Sequence, residues 1–362
     1  MEEITRPILT ISIATYNRSE RLLDLIRDVI QCKSEKIEIL VVDNHSTDDT
    51  VEKCEAIDDA RIRIVANKTN IGGQSNIMRA IFQAKGKYCL YINDRDILYP
   101  DKLDGLLKIL SDNEVSFLHI WRSSDDDTLS YYEKGFESYA NQKIWSHPTG
   151  MIYNMDVLKK YSLTEESFET YNETLYGYSF VARFLMFTGK TAVYKSRIWA
   201  EDSNYYESNR SKFDEINKDK EDKLFFSYNS RVFQYGRIIN QLCELQRQFN
   251  ISNEDMIEMI LLLNKNILGA FVTRRIYYMY KALYMHYGLK RRYIPVKEIL
   301  REFEKFNTTS KEMIAFLPYS KTIITRWEEI YEQEKRKNIL AMYKQIPKYI
   351  LIKMGIRKYA NT

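Results

Sequence analysis

The sequence is poor in the residues that build disulfide scaffolds and metal clusters. It has four cysteines among 362 residues, they lie far apart, and no CxxC pair occurs. A disulfide framework or a cysteine-ligated zinc site is therefore excluded, and we expect a reducing, cytoplasmic location. Glycine (12) and proline (6) are also few, while 44% of the residues are hydrophobic and 29% are charged, which is typical of a folded globular chain.

Long apolar runs and common nucleotide-binding motifs are missing as well. No run reaches the roughly 18 residues that a membrane-spanning helix needs, and residues 1–9, MEEITRPIL, lack the apolar centre of a signal peptide. The absence of GxGxxG and Walker A motifs argues against a Rossmann dehydrogenase and a P-loop ATPase. No DNA- or RNA-binding module pattern is present, so we expect no nucleic-acid partner.

Charge divides the chain into two parts. Residues 1–204 carry 25 Lys and Arg against 32 Asp and Glu, whereas residues 205–362 carry 29 against 18, so the net charges are −7 and +11. Helical periodicity marks the second part, over residues 218–249, 253–285, 296–306 and 320–346. We therefore predict an N-terminal domain, 1–204, and a basic helical domain, 205–362. Its charge indicates either an anionic ligand or surface, or a solvated helical face.

In the N-terminal part, short β-branched apolar runs alternate with amphipathic stretches. Residues 8–14 and 37–42 have the pattern of buried strands, and a helix is predicted between them over 19–32. The alternation continues to about residue 111, which predicts βαβ units and a mostly parallel sheet in an α/β fold. Ligands of such sheets bind at the carboxyl ends of the strands.

Polar clusters follow three of the predicted strands. Asp94 and Asp96 end the fourth strand, and their spacing of two puts both carboxylates on one side, where Mg²⁺ or Mn²⁺ and a phosphate could bind; a polar turn is the alternative. Asp43 ends the second strand, where it could accept a hydrogen bond from a base or cap a turn. Tyr16, after the first strand, could stack on a base or be half-buried.

The loop before the third helix carries two adjacent glycines, Gly72 and Gly73, which permit close approach of the backbone to a ligand. Arg79 lies on the helix that follows and could contact a phosphate, or be an ordinary surface arginine.

In this order and spacing, the motifs resemble those of family 2 glycosyltransferases, which have the GT-A fold. The resemblance covers residues 9–100 and rests on LTISIATYNR, ILVVDNHSTDDT, NIGGQSNIMRA, AKGKYCLYI and the Asp-x-Asp at Asp94–Asp96. It implies a mostly parallel sheet flanked by helices. It also implies inverting transfer of a sugar from a nucleotide sugar, often UDP-linked, with Mn²⁺ or Mg²⁺.

The resemblance also assigns residues. Ala14, Thr15, Tyr16 and Asn17 are expected at the nucleoside, Asp43 at the uracil, Asp94 at the ribose or the metal, and Asp96 at the metal. The chain departs from the family at Arg95, where many relatives have an acid or a serine; its charge could assist at the diphosphate or weaken the metal dependence. Ile77 and Met78 replace a common Arg-Asn pair, which leaves Arg79 as the candidate phosphate contact.

The resemblance implies a catalytic base about 80–110 residues after Asp96. Glu173 and Asp202 are equal candidates, and either could be an ordinary surface acid. His147, Thr149 and Gly150 lie where relatives approach the acceptor. His147 could orient an acceptor hydroxyl or be a structural histidine.

Residues 335–362 mix Lys and Arg with apolar side chains, which is typical of a helix on anionic lipid or of a C-terminal helix packed on its own domain. The leading hypothesis is a glycosyltransferase of bacterial surface polysaccharide or glycoprotein synthesis, peripheral at the inner membrane face. Its acceptor would be a glycan, free, lipid-linked or on a protein. The alternatives are a sugar nucleotidyltransferase, whose GxGxR loop is missing, and a non-catalytic interaction protein.

Overall fold

The computed structural model describes residues 6–121, 126–142, 147–172, 176–202 and 228–263, together with Glu329, Gln333 and Arg336. The chain divides into two compact units, Met1–Glu221 and Asp222–Thr362. The boundary predicted between residues 204 and 205 lies in a stretch outside the described residues, and it stays a prediction.

The first unit is built on an eight-stranded sheet with the strand order β3-β2-β1-β4-β8-β6-β9-β7. Its strands are β1 (Leu9–Thr15), β2 (Ile37–Asp43), β3 (Ile62–Ala66), β4 (Tyr88–Asn93), β6 (Phe117–Ile120), β7 (Thr128–Tyr132), β8 (Met151–Asn154) and β9 (Thr191–Lys195). A separate two-stranded antiparallel sheet pairs β5 (Asp96–Leu98) with β10 (Trp199–Glu201).

Helices connect these strands. They are α1 (Ser19–Val29), α2 (Thr50–Glu55), α3 (Gly73–Phe82), α4 (Leu103–Asp112), α5 (Phe136–Asn141), α6 (Met155–Lys160), α7 (Glu169–Asn172) and α8 (Gly177–Leu185), with short 3-10 turns at Pro100–Lys102 and Glu166–Phe168. α1 shows the reason for this layering: Leu22, Leu25, Ile26 and Val29 form one buried stripe, as amphipathic spacing predicts.

The sheet is mostly parallel, as predicted. β1 pairs in parallel with β2 and β4, β2 with β3, and β6 with β9, whereas β8 and β7 run antiparallel to their neighbours. The expected α/β fold is confirmed. β2 is buried along its whole length, which explains why its residues are mostly apolar.

Parallel register brings the ends of the central strands together. Thr15 lies opposite Asp43 across β1 and β2, and Ala14 lies opposite Asn93 across β1 and β4. The loops that follow these three strands therefore converge at one edge of the sheet.

The described part of the second unit is helical. α9 spans Tyr228–Phe249, and residues 253–263 are also helical. The helices predicted over 296–306 and 320–346 lie outside the described residues, except for Glu329, Gln333 and Arg336, which are helical, and so does most of the basic segment 335–362. Within the described ranges, no helix combines the length and apolar character that a membrane span requires.

Candidate active site

The two carboxylates of the Asp-x-Asp motif have different partners. Asp94 is buried and accepts a hydrogen bond from Oγ1 of Thr15 at 2.9 Å. Nη1 of Arg18 lies 3.2 and 3.1 Å from its two carboxylate oxygens. The negative charge of Asp94 is thus balanced by a guanidinium from the loop that precedes α1.

Asp96 is held by neutral groups instead. Its Oδ2 accepts hydrogen bonds from Oγ1 of Thr149 at 2.5 Å and from Nδ2 of Asn93 at 3.1 Å. Burial raises the pKa of Asp96 to about 6, and the charge of Glu201 acts in the same direction, against the opposing effects of Thr149, Asn93 and Arg95. Among the described residues, its Oδ1 is buried and has no hydrogen-bond partner.

A divalent cation fits this arrangement through Asp96. The described residues contain no group of three or more His, Cys, Asp or Glu that could hold a metal. Mg²⁺ in nucleotide sites, however, is usually bound by one or two carboxylates together with substrate phosphates. The buried, unpaired Oδ1 of Asp96 matches that chemistry, whereas both oxygens of Asp94 are already engaged by Thr15 and Arg18.

Asp43 caps the turn that follows its own strand. It is 1% exposed, and it accepts hydrogen bonds from the backbone N–H of Ser46 at 2.9 Å and from the Ser46 hydroxyl. Ser46 in turn accepts from the backbone N–H of Asn17 at 2.9 Å, and Oδ1 of Asn17 accepts from the backbone N–H of Thr47 at 2.8 Å. The loops after β1 and β2 are therefore cross-linked, and the role of Asp43 at a base stays a prediction.

Tyr16 directly follows β1. It is 39% exposed, and it is the one large apolar side chain that is exposed among the described residues. Ala14 is half-buried in β1, and Asn17 is exposed. The backbone of Asn17 (φ 50°) and that of His45 (φ 66°) adopt the left-handed region, a conformation that is concentrated at functional sites.

The glycine loop is fixed by asparagines that the sequence analysis did not single out. Oδ1 of Asn44 accepts from the backbone N–H of Ile71 at 2.9 Å, and Nδ2 of Asn44 donates to Asn70 at 2.9 Å. Gly72 has a left-handed backbone (φ +84°), and nothing lies within 4 Å of a Cβ placed on it or on Gly73. The hydrogen bonds of Asn44 thus hold the loop, whereas the space beside its two glycines is open. In the sequence, the asparagines directly after β2 and β3 were the signal that could have indicated this network.

The Arg79 side chain, on α3, is bound to other side chains of the protein. Its Nη1 donates to Oδ1 of Asn67 at 2.9 Å, and its Nε lies 3.4 Å from Glu165. The predicted phosphate contact of Arg79 therefore stays a prediction, and in this structure the side chain supports the asparagine network.

The residues predicted at the acceptor surround Asp96. The His147 ring stacks on Trp199, with centroids 5.0 Å apart, and its Nε2 lies 3.6 Å from Asp96 and 3.6 Å from Glu201. Thr149 is buried and reaches the site through its bond to Asp96. Gly150 (φ +90°) lies beneath Trp199, where a Cβ would collide with the indole nitrogen.

The structure describes one of the two candidate bases. Glu173 lies outside the described residues. Asp202 directly follows β10 and is ion-paired with Nη2 of Arg21. Glu201, its neighbour, is the cross-strand partner of Asp96 and was not among the predicted site residues; the pairing of β5 with β10, which sequence periodicity does not give, is what brings it here.

The sequence profile of the family described as "Glycosyl transferase family 2" matches residues 10–165, which contain Asp43, Asp94, Asp96 and the glycine loop but not β10. Residues 10–165 are a family 2 glycosyltransferase domain. The chain is 32% identical over 138 residues to an uncharacterized glycosyltransferase of Rickettsia felis, covering 38% of this chain and 23% of that protein. It is 28% identical over 102 residues to the succinoglycan biosynthesis protein ExoO of Rhizobium meliloti, covering 28% of this chain and 29% of that protein.

The chain therefore matches less than a third of the length of either relative. Among solved structures, TarS 1–349 of S. aureus matches with a TM-score of 0.55 over 91% of both chains at 14% identity. The same protein in complex with UDP-GlcNAc matches with a TM-score of 0.53. At this identity the likeness is one of fold, and it confirms the GT-A-type fold expected for the family 2 domain.

Proposed function

We propose that this protein is a glycosyltransferase that moves a sugar from a nucleotide sugar to a glycan acceptor. The observation that carries the proposal is the buried, unpaired carboxylate oxygen of Asp96 at the sheet edge of a family 2 domain, where the strand-end loops converge. A site of this kind suits a donor that brings its own phosphate oxygens.

The donor we propose is a UDP-sugar. The exposed Tyr16 ring offers a stacking surface for the base, and Asp43 keeps a second lone pair on each oxygen for an N–H of uracil. TarS, which shares the fold, has been crystallised with UDP-GlcNAc.

At the diphosphate, Asp96 would hold Mn²⁺ or Mg²⁺. When bound, such a cation supplies positive charge that stabilises the leaving diphosphate. Arg95, whose positive charge acts on Asp96, would add positive charge at the same edge, and the open face of Gly72 and Gly73 would admit the phosphates to the backbone. Asp94, already paired with Arg18, would line the ribose side rather than carry the cation alone.

At the acceptor, the half-buried His147 faces the space next to Asp96 and would orient the attacking hydroxyl. A carboxylate would take the proton of that hydroxyl while the hydroxyl oxygen bonds to the anomeric carbon with inversion, as the bond from that carbon to the diphosphate oxygen breaks and the nucleoside diphosphate leaves. Glu173 and Asp202 are the two candidates for this base.

The acceptor class we propose is a surface polysaccharide intermediate, in line with the relative ExoO. The basic segment 335–362 would hold the protein at an anionic membrane face.

Calorimetric titration with UDP, with and without Mn²⁺, tests the proposal on the full chain. We expect binding that strengthens with Mn²⁺ in the wild type and loses the Mn²⁺ effect in Asp96→Asn, because that variant removes the charge without changing the side-chain size. Asp101→Asn, at an exposed aspartate of the following 3-10 turn, is the matched control and keeps the effect. If the wild type bound no UDP with or without the metal, the UDP-sugar assignment would be wrong.

A further inference from the structure

One arginine of α1 links the two chain segments that frame Asp96. Nη2 of Arg21 donates to Oδ2 of Asp202 and lies 3.4 Å from the backbone carbonyl oxygen of Arg95. Asp202 directly follows β10, and Arg95 directly precedes β5. A single guanidinium therefore spans the adjacent ends of both strands of the small sheet.

The small sheet of β5 and β10 is short. β5 and β10 pair over three residues each, with Asp96 opposite Glu201 at the end that faces the site. An isolated two-stranded sheet is marginally stable in water, so its ends depend on contacts with other elements. The far end is closed by the hydrogen bond from Tyr99 N–H to the Ile198 carbonyl at 2.8 Å, and Arg21 lies at the Asp96 end.

The Arg21–Asp202 ion pair is partly buried, so it can restrain the two strand ends that it joins. The side chain of Asp202 is 13% exposed and that of Arg21 is 31% exposed, whereas the surface pair of Arg6 and Asp156 is 41% and 45% exposed. Ion pairs lose most of their strength at fully exposed positions, because water screens them and the side chains must be ordered. The Arg21–Asp202 ion pair therefore stabilises its surroundings more than the Arg6–Asp156 ion pair does.

We infer that Arg21 and Asp202 form a clamp that positions the Asp94–Arg95 turn and Asp96 after it, and that Asp202 is a positioning residue rather than the catalytic base. The inference rests on the proposed function and deepens it. A base must be aimed at the acceptor hydroxyl, whereas the Asp202 carboxylate is aimed at the Arg21 guanidinium at the end of the small sheet.

Three variants of the full chain test the clamp: Arg21→Ala, Asp202→Asn and the double variant. Hydrogen exchange of the peptide over residues 93–98 is the first readout, and we expect faster exchange in all three. UDP affinity with Mn²⁺ is the second, and we expect it to weaken about three- to tenfold, with the double variant no worse than either single one, as for residues that act as a unit. Turnover at saturating donor should stay within about tenfold of the wild type.

Arg6→Ala and Asp156→Ala are the matched controls. Their ion pair joins the segment before β1 to α6, at the opposite end of the strands, and its loss should leave exchange over 93–98 and UDP affinity unchanged. The inference is overturned if Asp202→Asn keeps wild-type exchange and UDP affinity but loses turnover by about a thousandfold or more, the signature of a missing base. If the wild type binds no UDP, the proposed function fails, while the exchange data still decide whether the clamp exists.

Discussion

Asp94 and Asp96 stand two positions apart and have opposite surroundings. A guanidinium contacts Asp94, whereas a hydroxyl and an amide contact Asp96, which is buried in addition. Burial raises the pKa of Asp96 to about 6, so its charge changes within an accessible pH range. A cation binds the ionised carboxylate, and proton and cation therefore compete at this residue.

The pH dependence of Mn²⁺-assisted UDP binding follows from this competition. We expect the Mn²⁺ effect to be complete above about pH 7 and to fade as the pH drops through 6, because protonation neutralises Asp96. In Thr149→Val the midpoint should move to higher pH, since the lost hydroxyl hydrogen bond favours the ionised form. Calorimetry across a pH series measures both midpoints.

Thr149→Ser is the control for this experiment, because it keeps the hydroxyl and loses only the methyl group. Its midpoint should equal that of the wild type. An unchanged midpoint in Thr149→Val would mean that the Thr149 hydroxyl does not set the ionisation of Asp96 in solution.

At the scale of elements, the turn before β8 fixes how His147 is supported. Gly150 has a left-handed backbone, and its missing side chain leaves room for the Trp199 ring, on which His147 stacks. A Cβ at this position would lie 3.0 Å from the Ile120 carbonyl oxygen and would collide with Trp199. The identity of residue 150 therefore couples the start of β8 to the β5–β10 sheet.

Substitution of two glycines tests this coupling. Gly150→Ala should destabilise the protein by about 1–3 kcal/mol and weaken acceptor-dependent turnover more than UDP binding, because it displaces Trp199 and with it His147. Gly105→Ala is the matched control: it lies inside α4 with open space around its Cβ, and it should be neutral or stabilise by about 0.5–1 kcal/mol. Thermal unfolding and steady-state kinetics measure both effects. Equal melting temperatures for the two variants would contradict the packing argument.

At the scale of the whole molecule, a histidine of the central sheet links stability to pH. His119 lies on β6, and burial lowers its pKa from 6.5 to about 4. The unfolded chain therefore binds a proton at this residue at pH values where the folded protein does not. The stability that depends on neutral His119 is complete above about pH 6.5 and is lost as the pH falls toward 4.

His119→Gln removes this titration. When the pH is lowered from about 7 to about 4, the free energy of unfolding of the wild type should fall by up to about 3 kcal/mol more than that of the variant. This amount corresponds to the lowering of the His119 pKa by burial. Urea unfolding at several pH values measures the difference. His45→Asn, at an exposed histidine, is the control and should follow the wild type. A constant difference between wild type and His119→Gln at all pH values would contradict the burial of this ring.

The sequence alone determined the local elements and the family. Mostly apolar runs predicted β1, β2 and β4, because strands buried on both faces are mostly apolar, and the spacing of apolar residues predicted α1, which buries one stripe. Parallel strands end at one edge, so the polar residues after them could be assigned to one site. The family 2 resemblance, read from those same loops, is confirmed by the match to residues 10–165.

Only the tertiary structure decided which side chains meet within that site. Arg18 on Asp94, Thr149 on Asp96, and His147 beside Glu201 are contacts between residues 53 to 76 positions apart, and the Arg21–Asp202 pair spans 181. They depend on the pairing of β1 with β4, on the insertion of β8 between β4 and β6, and on the pairing of β5 with β10. Periodicity reports which face of an element is buried, but it carries no record of which distant element covers that face.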